Sequence, residues 1–462
     1  MRYISITPRQ RQQMLSALRL QSVEDLFEDI PDEVRLKRPL NLPEGIFEAE
    51  LSAHVYDLSK KNRSTNDLVS FAGAGCYDHY VPSVVDHVIR KPEFFTAYTP
   101  YQPEVSQGTL QALYEYQSMI CSLTGMEIAN ASMYDGATAF VEAAFMACRI
   151  TRRKTVLCAS NTHPEWRSTL LTYAHAGVFD VVDIPVEPCT GRIERESLAA
   201  TLSTVDCSDV AAVMLQSPNF FGVLEDIEAA SAFAHGAGAL LVVASNPILL
   251  GLMEPPSRFG ADIVVGEGQP LGSPISFGGP GFGFFACRSN YVRQVPGRIV
   301  GRSIDADGSD AFVLTFSTRE QHIRREKATS NICSNHSLNA VAAGVYLASM
   351  GGTGLRAVAQ ACVLNAHQLR SMLLDTGKFE ALWDTPSGYE FALRYSAGSA
   401  DTMISAMLDR GFLAGVGCRA LLQSERHAPN LPLDLDDVVI FAVTEKRTSQ
   451  QIIDFVEAVN AL

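Results

Sequence analysis

The sequence predicts an α/β protein, with a large domain on a mostly parallel sheet followed by a smaller C-terminal α+β domain. Two observations carry this expectation. Six short β-rich runs, at 155–159, 178–184, 210–216, 239–244, 262–265 and 282–286, are close to continuously apolar, and helical or turn segments separate most of them. Strands read this way when crossover helices shield both faces of a parallel sheet from water. After about Asp310 the order changes to long helices, with strands near 389–395 and 438–444.

The elements follow in chain order. Thr7-Pro8-Arg9-Gln10 is a capping box with proline at the first helical position, and Met14, Leu15 and Leu18 give the helix behind it one apolar stripe. From Arg35 to Asn66 the chain is polar and punctuated by Pro39, Pro43 and Gly45, which predicts a segment wrapped over a surface rather than a core. Residues 1–66 are therefore expected to form an N-terminal extension or docking arm, residues 67–310 the large domain and 311–462 the small one. Leu110 to Leu123 place apolar residues at helical spacing, with Gly125 just beyond as a C-cap. Gly136 to about Arg149 is an Ala- and Phe-rich helix suited to the interior. The final helix is capped by Thr448 with Gln451, and Asp434, Asp436 and Asp437 should form a solvated entry to the last strand.

Composition narrows the function. The 462 residues carry 51 acids against 37 bases, a formal net charge of -14, and only 19% charged residues. Nucleic acid and anionic membranes need a basic stripe, so neither is expected as the main partner. The low charged fraction predicts extensive burial or a large subunit interface. Gly236 to Met253 approaches spanning length, but Ser245-Asn246-Pro247 divides it into two core segments. The N-terminus lacks the pattern of a secretory signal, which predicts a cytoplasmic protein. Ten cysteines without a CxxC pair read as buried or inert free thiols.

Four segments stand out chemically. The loop AYTPYQPEVSQG, 97–108, holds two tyrosines, Gln102, Glu104 and Gln107 between prolines. In 124–140 an extended piece and a turn lead into the buried helix, with Asp135 at the cap position, where its charge would repel a phosphate. The glycines of 272–288 precede a strand late in the domain and read as a structural turn, not a dinucleotide loop. In 319–340, Arg319, His322, Arg324, Arg325 and Lys327 form a basic patch that could bind a carboxylate or phosphate, or be a solvated or interface-paired helix face; Cys333 beside it is expected to be buried. His163, Glu165 and His175 match no metal-binding spacing, and no metal is assigned.

Taken in order, FAGAGCYDHYVPSVVDHVI (71–89), AYTPYQPEVSQG, IANASMYDGATA (128–139) and REQHIRREKATSNIC (319–333) resemble the glycine cleavage system P-protein family, specifically the α subunit of organisms that split it into two chains. The resemblance covers nearly the whole chain. It implies the fold-type-I architecture of pyridoxal phosphate-dependent transferases. It also implies a reaction in which glycine loses its carboxylate as carbon dioxide and the aminomethyl group passes to the lipoyl arm of H-protein. That chemistry needs a lysine, which the family architecture puts just after the strand at 262–265, where this chain has Gln269-Pro270; no lysine lies between Lys154 and Lys327. The acid that pairs with the pyridine nitrogen should end the strand LLVVAS, yet Val243 and Ala244 stand there.

With Asp135 at the phosphate turn, the cofactor pocket reads as degenerate. The resemblance implies that a partner β subunit carries the lysine and pyridoxal phosphate, in an α2β2 heterotetramer whose active site this chain helps to build but cannot run alone. On this basis Tyr98, Tyr101, Gln102, Glu104 and Gln107 are expected in the wall facing the partner's cofactor, with Asn130, Tyr134, Arg324 and Lys327 as further candidates. Two alternatives stay open: a structural or regulatory partner of β that gives no side chain to chemistry, and a stand-alone pyridoxal phosphate enzyme recruiting Lys327 or another distant lysine.

Overall fold

The computed structural model describes residues 5–422, 431 and 433–462, in two compact units, 1–63 and 64–462. In the first, Pro8–Leu18 is helical behind the expected capping box: Thr7 Oγ1 accepts from Gln10 N at 3.3 Å and Gln10 Oε1 accepts from Thr7 N at 2.9 Å. Only Leu15 of this helix is buried, and Met14 and Leu18 stay 54% and 59% exposed. The stripe is therefore not a closed packing face. Within 35–66, expected to run over a surface rather than form a core, Glu48–Ser59 is a helix. Pro39, Pro43 and Gly45 all precede it, and Glu48 and Glu50 suit the positive end of its dipole. None of its residues is buried.

The second unit is built on a seven-stranded sheet in the order Ile128–Ala129, Gly283–Cys287, Ile263–Glu267, Leu240–Ser245, Val210–Ser217, Thr155–Ala159, Asp180–Ile184. The last five in this order pair in parallel, and Gly283–Cys287 runs antiparallel to both its neighbours. Alternate residues of one strand enter opposite cores: Val242 and Ala244 join the cluster with Phe140 and Met146, whereas Leu241 and Val243 join the one with Leu110 and Tyr116. Double-sided burial is why these strands read as unbroken apolar runs.

The buried helix runs Gly136–Thr151, and Gln107–Thr124 ends at Gly125, whose φ of 69° suits a glycine cap. Near the C-terminus, Phe379–Ala381, Glu390–Tyr395, Val438–Ala442 and Val416–Gly417 form an antiparallel sheet in that order, followed by the capped helix Ser449–Asn460. An antiparallel hairpin, Ile299–Ile304 with Asp310–Thr315, was not anticipated and straddles residue 310. Among the described residues no helix is long and apolar enough to cross a membrane. All ten cysteines are free, but Cys189, Cys207 and Cys333 are exposed, which corrects the expectation of burial for Cys333.

Candidate functional site

The site begins where the strand Ile263–Glu267 meets the start of the Gly136–Thr151 helix. Asp135 caps that helix as the sequence indicated: its Oδ1 accepts from Thr138 N and Thr138 Oγ1, both at 2.7 Å. Glu267 adds a second carboxylate. Its Oε2 accepts from Gly136 N at 2.9 Å, and its Oε1 accepts from Gln269 N and Phe282 N, both at 3.0 Å. A Cβ on residue 136 would lie 2.3 Å from the Trp166 ring and 2.9 Å from Glu267 N, so glycine is what allows this approach. Burial pushes the Glu267 carboxyl up to about 7, against three backbone N–H groups that favour its charged form.

Gln269, at the position where the resemblance calls for lysine, is buried and fully engaged. Its Oε1 accepts from Tyr77 N at 3.1 Å, and its Nε2 donates to Tyr77 O at 3.1 Å and Ser273 O at 2.7 Å. The segment it grips is held from the other side by Glu390, which accepts from Ala74 N and, at 2.9 Å, from the Tyr77 hydroxyl. The strand Leu240–Ser245 ends without an acid; Asn246 follows and donates to the Tyr389 hydroxyl at 2.6 Å.

His163 caps the Pro164–Ala174 helix, accepting from Glu165 N on Nδ1, with its Nε2 2.9 Å from Ala74 O; His175 lies at the other end of that helix. Desolvation lowers the His163 pKa below its ordinary 6.5, against the Ala74 carbonyl and the Glu165 charge. Around these groups lies a cavity of about 450 Å³ reached by Cys76, Tyr134, Asp135, Trp166, Glu267 and Gln269. Pyridoxal phosphate does not fit this cavity. Two carboxylates hold the amides of the helix start where its phosphate would go, and the residue in place of the lysine has neither an amine nor a free hydrogen bond.

The sequence-predicted loop lies apart from this cavity. Tyr98 and Tyr101 are 73% and 52% exposed, and Gln102 and Glu104 are exposed as well. Gln107 points inward: its side-chain amide pairs with both backbone groups of Phe312 at 2.9 Å and so holds the hairpin strand Asp310–Thr315. The residue that organises the loop is Arg298, which sequence reading missed. Its buried guanidinium donates to Thr99 Oγ1 at 2.9 Å, the Tyr101 hydroxyl at 3.4 Å and Cys333 O at 2.6 Å, and sits 3.4 Å from Glu320. Tyr101 in turn meets His322 edge-on with centroids 5.9 Å apart. Two of the motifs read separately in the sequence, 97–108 and 319–333, are thus stapled together.

Of the other candidates, Asn130 is buried and spends its amide on Pro296 O and Ser132 N. Tyr134 reaches the cavity and its hydroxyl accepts from Cys333 N at 3.2 Å. Arg324 and Lys327 are exposed and line a different pocket, with Arg293 and Arg319; the helix in their patch is a four-residue turn, Gln321–Arg324. His79, Cys362 and Glu445 bring metal-type ligand atoms within 4.8 Å of one another. They already bond to each other, His79 Nδ1 to Glu445 at 2.7 Å and Cys362 Sγ to Glu445 at 3.3 Å, and burial followed by the Glu445 charge keeps the thiol protonated.

Comparison with known proteins matches residues 1–458 to the family described as glycine cleavage system P-protein. A protein of Carboxydothermus hydrogenoformans named probable glycine dehydrogenase (decarboxylating) subunit 1 is 47% identical over 457 residues, 99% of each chain. Its namesake in Moorella thermoacetica is 46% identical over the full length of both. The crystal structure of glycine decarboxylase (P-protein) of the glycine cleavage system, in inhibitor-bound form, superposes with a TM-score of 0.87 at 40% identity, covering 100% of each chain. The sphingosine-1-phosphate lyase of Burkholderia pseudomallei, at 16% identity and a TM-score of 0.64 over 93% of this chain and 94% of its own, shares the fold alone. The architecture is that of fold-type-I pyridoxal phosphate enzymes.

Proposed function

The chain belongs to the glycine cleavage system P-protein family, and from that premise we propose that it is the subunit of glycine dehydrogenase (decarboxylating) that carries no cofactor of its own. In this reading a β subunit holds pyridoxal phosphate, the two chains assemble as α2β2 in the cytoplasm, and together they decarboxylate glycine and deliver the aminomethyl group to the lipoyl arm of H-protein. The name subunit 1 among its relatives supports a second subunit. The single observation that carries the assignment is the self-filled helix start, where Glu267 and Asp135 take the amides that a cofactor phosphate would need.

The chain's own share of the work falls to exposed groups. Tyr98, Gln102 and Glu104 form no side-chain hydrogen bond among the described residues, yet Arg298 anchors their loop through Thr99 and Tyr101. A fixed backbone with unspent polar groups can position glycine or the lipoyl arm at a neighbouring chain's site. Gln107 ties the end of this loop to the hairpin strand through Phe312, and Asn130, Tyr134, Arg324 and Lys327 are further candidates for the shared site.

The test is exchange of the glycine carboxylate with bicarbonate in the presence of H-protein, measured for each subunit alone and for the mixture. Activity is expected only in the mixture. Full activity of this chain by itself would defeat the proposal.

A further inference from the structure

We infer that the pocket framed by Arg293, Arg319, Arg324 and Lys327 binds a phosphate group. These four cations, with Thr318 and Thr329, line a cavity of about 340 Å³ that has no carboxylate among its lining residues, in a chain whose net charge is -14. Arg319 is the centre of the argument. It is only 9% exposed, its Nη1 donates to the Val295 carbonyl, and its buried Nε and Nη2 have no acceptor among the described residues. That edge is the one with which Arg167 grips Asp183 and Arg302 grips Asp310, each through Nε and Nη2 at 2.6 to 3.1 Å. The same chain therefore shows twice what this edge takes when an oxyanion is present.

Among the described residues no group accepts from these two atoms, and the buried Glu320 Oε1 is likewise unpaired. Glu320, the next residue, faces Arg298 at 3.4 Å and His322 at 3.7 Å instead. Arg324 and Lys327 form no ion pair among the described residues, and Arg293 lies over the Phe316 ring at 5.8 Å. A buried guanidinium without a counter-charge is costly. Burial pulls the Arg319 pKa down against the opposing pull of the Glu320 charge, and the Arg149 charge adds a smaller push downward. A carboxylate would saturate the Arg319 fork and leave three cations unmatched, whereas a phosphate offers three peripheral oxygens and a second charge. The threonine hydroxyls add donors.

The ligand is either a free phosphate ester or a phosphate group held by the second subunit. The inference rests on the preceding reading only for the existence of that subunit, and its readout is binding rather than turnover, so either can fail without the other. The test is calorimetric titration of inorganic phosphate into the full chain at fixed ionic strength, with acetate as the control. One phosphate site per chain is expected, which acetate does not occupy. Arg324→Gln and Lys327→Gln, both at exposed positions, should each weaken phosphate about tenfold, Arg319→Gln should remove binding, and Arg325→Gln, outside the pocket, should leave it unchanged. With the second subunit bound, phosphate still titrates if the ligand is a free ester and is blocked if that subunit provides the group. No binding to the unaltered chain, equal binding of acetate, or full affinity in both exposed variants overturns the inference.

Discussion

Gln269 stands where the resemblance calls for a lysine. An amide that spends its oxygen and nitrogen on the Tyr77 backbone and Ser273 cannot capture a carbonyl, and placing an amine there would not by itself create a cofactor site. Gln269→Lys is therefore expected to give no new visible absorbance band on addition of pyridoxal phosphate, because Glu267 and Asp135 still hold the helix start and repel a phosphate. A stable band would show that one residue was the whole barrier. At the exposed loop the expectation reverses. Glu104→Gln in the assembled enzyme should lower glycine carboxylate exchange by about tenfold, the scale of one charge-assisted hydrogen bond. Exchange at the unaltered rate removes Glu104 from the shared wall.

Among the elements, the hairpin Ile299–Ile304 with Asp310–Thr315 and the loop before Gln107–Thr124 behave as one assembly, because Gln107 clamps Phe312, Gln117 clamps Val300 and Arg298 holds Thr99 and Tyr101. Arg298→Gln should accelerate amide hydrogen exchange across residues 97–106 while leaving the central strand Thr155–Ala159 protected; uniform exchange across both would mean that Arg298 supports the fold generally. The central strands were legible because each is buried on two faces, and the caps at Thr7, Asp135 and Thr448 because their chemistry is local. Arg298 was not legible: Thr99 lies 199 residues away, and nothing near Arg298 in the sequence announces that pairing. Glu267 was hidden in the same way, 131 residues from Gly136. The hairpin left a signal that went unread, Asp307-Gly308 between two β-rich runs. The patch at 319–327 was legible as charge, but its division into a stapled half at His322 and an open pocket at Arg324 and Lys327 needed the folded chain.

Across the whole molecule, burial pushes four carboxyls, those of Glu142, Glu225, Glu267 and Glu390, from 4.5 up to about 7. Between those values the folded chain binds more protons than the unfolded one, so the stability these groups contribute is full below 4.5 and is lost as the pH rises through about 7. His163, whose pKa burial lowers, acts in the opposite sense below its ordinary 6.5, but it is one group against four. The Tm of the chain should accordingly fall by several degrees between about pH 5.5 and about pH 8, and a constant or rising Tm would contradict this balance. The N-terminal unit exposes apolar side chains, among them Leu18, Val34, Leu42 and Phe47, a surface that suits the proposed assembly with a second subunit. The division of labour in that assembly is tested most directly by borohydride reduction of the active complex followed by peptide mapping. The account predicts that reduced pyridoxal phosphate is found only on a lysine of the second subunit, and recovery of the adduct on any lysine of this chain would contradict it.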